Sequence, residues 1–208
     1  IDKVEISAEG EPTYSVIGKA RARGLAGSAV VDVLAELFKA GIVDSRGTFK
    51  NLTGRVRKDE FGVTEYVIAT GDRTQDRTDI TINQKDIREV QLAKAAIRAG
   101  AEVLLAKAGV PAEELRVMYV AGAFGFFLNP ITASALGLYP EVRLDRVRMV
   151  GNTAVTGAKA MLVSAEARRM AEEIAIATTY VELAREPEFR RRFLDSMSIP
   201  RAATAARV

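Results

Sequence analysis

The chain has 208 residues, 48% hydrophobic and 27% charged, with a formal net charge of +3; that length can bury a real core, and the balance is ordinary for a soluble globular chain. It contains neither Cys nor His, which excludes disulfides, thiolate zinc sites, cysteine-held iron–sulfur clusters and imidazole-based catalytic triads. Chemistry must then rest on carboxylates, Lys, Arg, backbone dipoles and a bound cation, a set that suits nucleotides, where positioning and charge stabilisation dominate.

No apolar run reaches the roughly 18 residues of a membrane helix, and no secretory signal opens the chain. Lys and Arg are mixed with acidic residues; the densest cluster is Arg190, Arg191 and Arg192. Neither a membrane nor a nucleic-acid partner is expected, and a cytoplasmic location is. The first residue is Ile1, inside what reads as a strand, so the chain is expected to be one piece of a longer protein.

In chain order, 4–6 and 14–17 read as strands around the turn Glu9-Gly10-Glu11-Pro12. The Gly-rich turn Gly24-Leu25-Ala26-Gly27-Ser28 leads into a helix over 29–40, with Val30, Val33, Leu34, Leu37 and Phe38 at helical spacing. Helix N-termini attract anions, and Ser28 either adds a hydroxyl there or caps its own helix. No Gly-Lys-Ser/Thr follows, so this is not a P-loop. Residues 44–59 read as loop, 65–69 as a strand and 70–81 as an exposed polar loop.

The longest helix is predicted over 84–108, opened by Asn83 with Asp86 three residues on, a capping-box spacing, and closed by Gly109. Ile87, Val90, Ile97, Ala101 and Leu104 form its apolar stripe, on which Lys94 also falls; Gln84, Arg88 and Gln91 share a polar face. That face is either simply solvated or a polar clamp on a ligand.

Residues 116–120 and 146–150 read as buried strands, each running into glycine: Ala121-Gly122-Ala123-Phe124-Gly125 and Gly151-Asn152-Thr153. Ligands of open α/β sheets collect at the carboxyl ends of strands, and small residues there let a backbone approach a flat ligand. Tight packing of helix on sheet explains the same glycines without a ligand. Phe124, Phe126 and Phe127 read as core or as a lid, and Gly157, Ala154 and Ala158 leave a helix face nearly bare. Helices over 166–177 and 187–197, a short strand over 180–183 and a tail over 201–208 complete the reading, which is mixed α/β.

The order of these segments is more specific than any one of them. NQKDIREVQLAKAAIRAGAEVLL, VMYVAGAFGFFL and VGNTAVTGAKAML, preceded by GLAGSAVVDVLAELFKAGIVDSRGTF and followed by YVELAREPEFRRRFLDSMSIP, resemble the C-terminal domain of the reductive activators of corrinoid proteins, over nearly all of residues 1–200. The resemblance implies an actin-like ATPase (ribonuclease-H-like) lobe, a mixed sheet flanked by helices, forming one lobe of a two-lobed nucleotide cleft. It carries the adenosine turn onto Val120, Ala121, Gly122, Ala123, Phe124 and Gly125, and the lobe-connecting helix onto Gly151, Asn152, Thr153 and Gly157. It sets Gln84, Lys85, Arg88 and Gln91 near adenine or ribose, with Gly27 and Ser28 in the nucleotide set.

By the same resemblance the cofactor is ATP with Mg²⁺, shared with an upstream segment that carries the phosphate loops. An iron–sulfur cluster belongs to the upstream part alone. The partners are a corrinoid protein and the upstream domains, with a homodimer allowed. The implied activity is ATP-dependent reduction of inactive Co(II) corrinoid to Co(I); no catalytic residue and no metal ligand is assigned within this chain. Two departures stand out: the family commonly shows Gly-x-Cys-Gly-Ser-Gly where Ala26 and Ala29 occur here, and polar residues where Phe126 and Phe127 follow the turn. They favour as alternative an assembly or partner-docking module with a degenerate nucleotide site; a small-molecule kinase, needing Asp32 or Asp86 as base, is the remaining one.

Overall fold

The computed structural model describes residues 1–50 and 54–200; the expected tail over 201–208 lies outside the described residues. Seven strands and seven α-helices are described. β1 (Lys3–Ile6) pairs antiparallel with β2 (Pro12–Ser15). β3 (Val56–Lys58), β4 (Thr64–Ala69) and β5 (Ile80–Asn83) form an antiparallel sheet in that order. β6 (Met118–Ala121) and β7 (Val147–Gly151) pair in parallel. The helices are α1 (Gly27–Lys39), α2 (Gln84–Ala108), α3 (Gly122–Phe127), α4 (Pro130–Leu136), α5 (Thr153–Val163), α6 (Ala165–Ala177) and α7 (Pro187–Asp195). Parallel and antiparallel pairings are thus both present, in three small sheets.

α1 is the centre of the core. Ala29, Val33, Leu34 and Leu37 are fully buried, and the helix packs on β1 and α4. Val4, Ile6, Tyr66, Ile68, Ile82, Ile87, Leu136 and Ile199 close the same cluster. Tyr66 carries its phenol through this core and donates to the Gly10 carbonyl at 3.0 Å, tying β4 to the β1–β2 turn.

α2 begins and ends where its local signals place it. The Asn83 side chain accepts the Lys85 and Asp86 N–H groups, at 2.8 and 3.1 Å, and Asp86 accepts the Asn83 N–H at 2.9 Å, a full capping box. At the other end Gly109 sits at φ 65°, its N–H reaching the Ala106 carbonyl while the Val110 N–H reaches Leu105, the Schellman pattern. Asn83→Ala should cost about 1 kcal/mol, read as a lowered midpoint in denaturant at unchanged slope.

Several expected elements differ. β3 falls within 44–59, which was read as loop, and a bridge joins Val43 to Phe49. β5 begins inside the 70–81 loop because its alternation with β4 outweighs the polar residues before it. The strand expected over 180–183 is absent; a 3₁₀ turn at Leu183–Arg185 takes its place, since no strand lies beside it to pair. β6 and β7 are half-exposed rather than buried, because the outer face bearing Tyr119 and Val150 is uncovered. Ile97 and Leu104, expected on the buried stripe of α2, are exposed; Ala95, Ala99 and Val103 take the inner positions. No helix among the described residues is long and apolar enough to cross a membrane.

Candidate functional site

The parallel register of β6 and β7 sets Ala121 opposite Gly151, so the two glycine junctions are immediate neighbours at the strands' carboxyl ends. Gly122 opens α3 at φ 95°, and among the described residues, beyond its chain neighbours and its own helix backbone, nothing lies within 4 Å of where its Cβ would stand. The constraint at Gly122 is therefore backbone conformation beside open space, not crowding. Gly125 differs: a Cβ there would meet Val120 Cγ1 at 3.0 Å, so its role is to let α3 lie against β6. Gly151 turns at φ 71°, with Phe126 Cδ2 3.6 Å from its Cβ position.

The third glycine segment joins them. A Cβ on Gly27 would stand 3.0 Å from Phe124 Cε2, so the first turn of α1 packs on the α3 aromatic. The N-cap position of α1 is Ala26, which has no side chain to satisfy the first N–H groups. Ser28 is not that cap: it lies within the helix, buried, and its hydroxyl donates to the Asp2 carbonyl at 3.5 Å. Asn152 does cap, accepting the Val155 N–H at 3.3 Å. Phe124, Phe126 and Phe127 are about half-exposed or more, which removes the core reading; Phe126 and Phe127 meet edge to face at 5.2 Å. Ala123 is exposed beside them.

The expected polar residues of α2 face another neighbour. Gln84 Nε2 donates to the Gly47 carbonyl at 2.7 Å, and its Oε1 accepts the Phe49 N–H at 3.3 Å. Arg88 Nη1 donates to the Arg46 carbonyl at 2.5 Å and to Gln91 Oε1 at 2.7 Å. Gln91, 1% exposed, donates through Nε2 to the Arg46 and Met197 carbonyls. These three hold the 44–49 loop and the chain after α7, whereas Lys85 is exposed at the helix start. The structure thus brings together Gly27, Ser28, Gly122, Ala123, Phe124, Gly125, Gly151 and Asn152, and gives Gln84, Arg88 and Gln91 partners of their own.

Two charged residues, Lys94 and Asp32, are deeply buried. Lys94 is 1% exposed and donates to the Ser196 and Ser198 carbonyls at 2.5 and 2.9 Å. Burial, with Arg98 nearby, lowers its pKa to about 8. Asp32 accepts the Thr132 hydroxyl at 2.6 Å, and burial raises its pKa despite that bond. Asp32 and Asp86, the residues a kinase base would draw on, thus both make structural contacts, the second in the capping box. Among the described residues no cluster of three Asp or Glu could hold a metal ion.

Parallel strands whose carboxyl ends carry adjoining glycine turns make this an α/β protein with its candidate site where open sheets collect ligands. The chain belongs to the family described as the C-terminal domain of RACo, the ASKHA domain, which matches residues 1–207, and its fold is the actin-like one of that family. The corrinoid activation enzyme RamQ of Eubacterium limosum is 39% identical over 193 residues, 89% of this chain and 32% of that protein. The [Co(II) methylated amine-specific corrinoid protein] reductase of Methanosarcina barkeri is 26% identical over 154 residues, 74% of this chain and 24% of that protein. The solved structure of a reductive activator for corrinoid, iron-sulfur protein superimposes with a TM-score of 0.89 at 35% identity, over 96% of this chain and 32% of that one. The chain therefore spans about a third or less of the length of these relatives.

Proposed function

We propose that this chain is the nucleotide-binding C-terminal part of an ATP-dependent activator that reduces inactive Co(II) corrinoid proteins to Co(I) for methyl transfer. The observation that carries the reading is the adjoining pair of glycine junctions, Gly122 beside open space and Gly151 next to it across the β6–β7 register. A side chain at Gly122 would enter that space, so the position fits the flat face of an adenosine. The uncapped start of α1 at Gly27 adds a positive dipole end nearby. Gln84, Lys85, Arg88 and Gln91 enter this proposal only through the placement of α2.

The other groups do not fit this chain. It has no cysteine for an iron–sulfur cluster and no carboxylate cluster for Mg²⁺ among its described residues. Both are assigned to upstream domains of the same protein, with this chain as the adenosine-binding lobe, residues 1–200, of a two-lobed cleft in the cytoplasm. Coupling then requires that nucleotide bind one arrangement of the lobes more tightly than another, since equal affinities shift nothing. A homodimer is compatible with the same arrangement.

The test is reactivation of a Co(II) corrinoid protein by the full-length protein, followed by the cobalt absorbance with a reductant, with and without ATP. Reduction that depends on ATP supports the reading; reduction indifferent to ATP, or none, overturns it. A second reading, a partner-docking module with a degenerate nucleotide site, has its own observation. α5 and α6 bury no residue, and Leu162, Val163, Ile174 and Ile176 are exposed along them. Partner binding equally tight with and without ATP would favour it.

A further inference from the structure

A pocket of about 430 Å³ opens between α2, the 44–49 loop and the segment after α7, lined by Arg46, Thr48, Arg88, Gln91, Met197 and Ser198. Its charged lining residues are both arginines, Arg46 and Arg88, and Thr48 and Ser198 also line it. We propose that this pocket is an oxyanion site that takes a phosphate group. It stands apart from the glycine junctions and does not rest on the nucleotide reading; it gives Arg88 a phosphate in place of the adenine or ribose that its position on α2 suggests.

The pocket is built before any ligand arrives. Gln91 is 1% exposed, and its amide is engaged at both ends: Nε2 donates to the Arg46 and Met197 carbonyls, and Oε1 accepts from Arg88. Arg88 is pinned by that bond, by the Arg46 carbonyl and, through Nη2, by Thr48 Oγ1 at 3.3 Å. A guanidinium has five N–H donors, so the bonds that fix Arg88 leave others to face the opening. Arg46 anchors the loop through its backbone, while its side chain is 82% exposed and, among the described residues, pairs with Asp44 at 3.7 Å. Its charge is thus available without disturbing the clamp.

The donor set selects the ligand. The lining residues supply two positive charges and two hydroxyl-bearing side chains, and the Asp44 carboxylate beside Arg46 is held chiefly by the loop: its Oδ1 accepts the Thr48 and Arg46 N–H groups at 2.9 Å each. Those bonds keep its pKa below the ordinary value, so it stays ionised and tied to the backbone. Guanidinium forks suit phosphate and carboxylate alike, but a phosphate near neutral pH carries more than one negative charge, about 1.5 to 2 on a monoester, and a carboxylate one. Two guanidiniums and two hydroxyl-bearing side chains suit the more highly charged, tetrahedral anion.

The experiment is calorimetric titration of the full-length protein with inorganic phosphate, and with acetate as the single-charge comparison. Phosphate should bind, acetate at least about tenfold more weakly, and phosphate affinity should fall as salt rises. Arg46→Ala and Ser198→Ala should each leave the melting temperature in place; Arg46→Ala should weaken phosphate by about tenfold, the loss expected for one charge-assisted contact, and Ser198→Ala by less. Gly122→Val should leave phosphate binding unchanged. No phosphate binding, acetate as tight as phosphate, affinity indifferent to Arg46→Ala, or loss of phosphate with Gly122→Val would each overturn the proposal.

Discussion

Gly122→Val in the full-length protein should abolish ATP and ADP binding measured by calorimetry, with affinity falling by well over tenfold, while the fold survives. Gly122 sits at φ 95°, where a β-branched residue costs about 1 to 3 kcal/mol of backbone strain. Among the described residues, beyond its chain neighbours and its own helix backbone, nothing lies within 4 Å of the new Cβ, so the branched side chain projects into the space assigned to adenosine. Strain alone lowers stability; occupancy of that space is what removes binding. Gly122→Ala separates the two, because it keeps most of the backbone strain and fills less of the space, and should bind nucleotide at an intermediate level. Gly125→Ala would act differently again, by pushing against Val120 and shifting α3 as a whole. ATP binding by Gly122→Val equal to wild type would remove the adenosine assignment and move the weight to the partner-docking reading.

What the sequence made legible was whatever its signals determine over a few residues. The start and stop of α2 follow from Asn83, Asp86 and Gly109, all within four residues of the groups they satisfy. The α1 stripe and the two glycine junctions were readable for the same reason, as one period of hydrophobicity and one strand-to-turn transition. What depends on distant partners was not. Lys94 reads as a cation that falls on an apolar stripe, yet its partners are 102 and 104 residues away. Gln91 likewise reads as solvated until Met197, 106 residues on, closes over it. The strand expected over 180–183 fails from the opposite side: Tyr180 and Val181 have the propensity, but a strand needs a neighbour and none is beside it. Phe126 and Phe127 look like core by composition and are exposed. Hydrophobicity counts what a residue would gain by burial; it does not say which surface does the burying. Of the candidate site, the glycines were found by position, whereas the adjacency of Gly151 to Ala121 needed the register of β6 on β7.

Lys94→Met should destabilise the fold by about 2 kcal/mol, a net of two opposed effects. Removing the ammonium relieves the cost of holding a charge at 1% exposure. It also leaves the carbonyls of Ser196 and Ser198 without a donor. Ser198 is exposed and recovers water, whereas Ser196 is buried and does not, so the orphaned Ser196 carbonyl decides the sign. For a chain of this size the melting temperature should fall by roughly 4 to 8 °C. The loss should be local first: the 196–200 segment, held also by the Ile199 N–H on the Ser45 carbonyl at 2.7 Å, should exchange its amides faster while the centre of α1 does not. The pH dependence separates this from an ordinary cavity. Lys94 releases its proton near pH 8 in the folded chain but near its ordinary value of 10.5 when unfolded. Between those values the unfolded state binds the extra proton, so this group makes stability rise with pH across that window and contributes no slope below it. Lys94→Met should lack that rise, so the gap between variant and wild type should widen from pH 8 to pH 10. A gap constant over that range would mean that the Lys94 amine stays charged in its buried position.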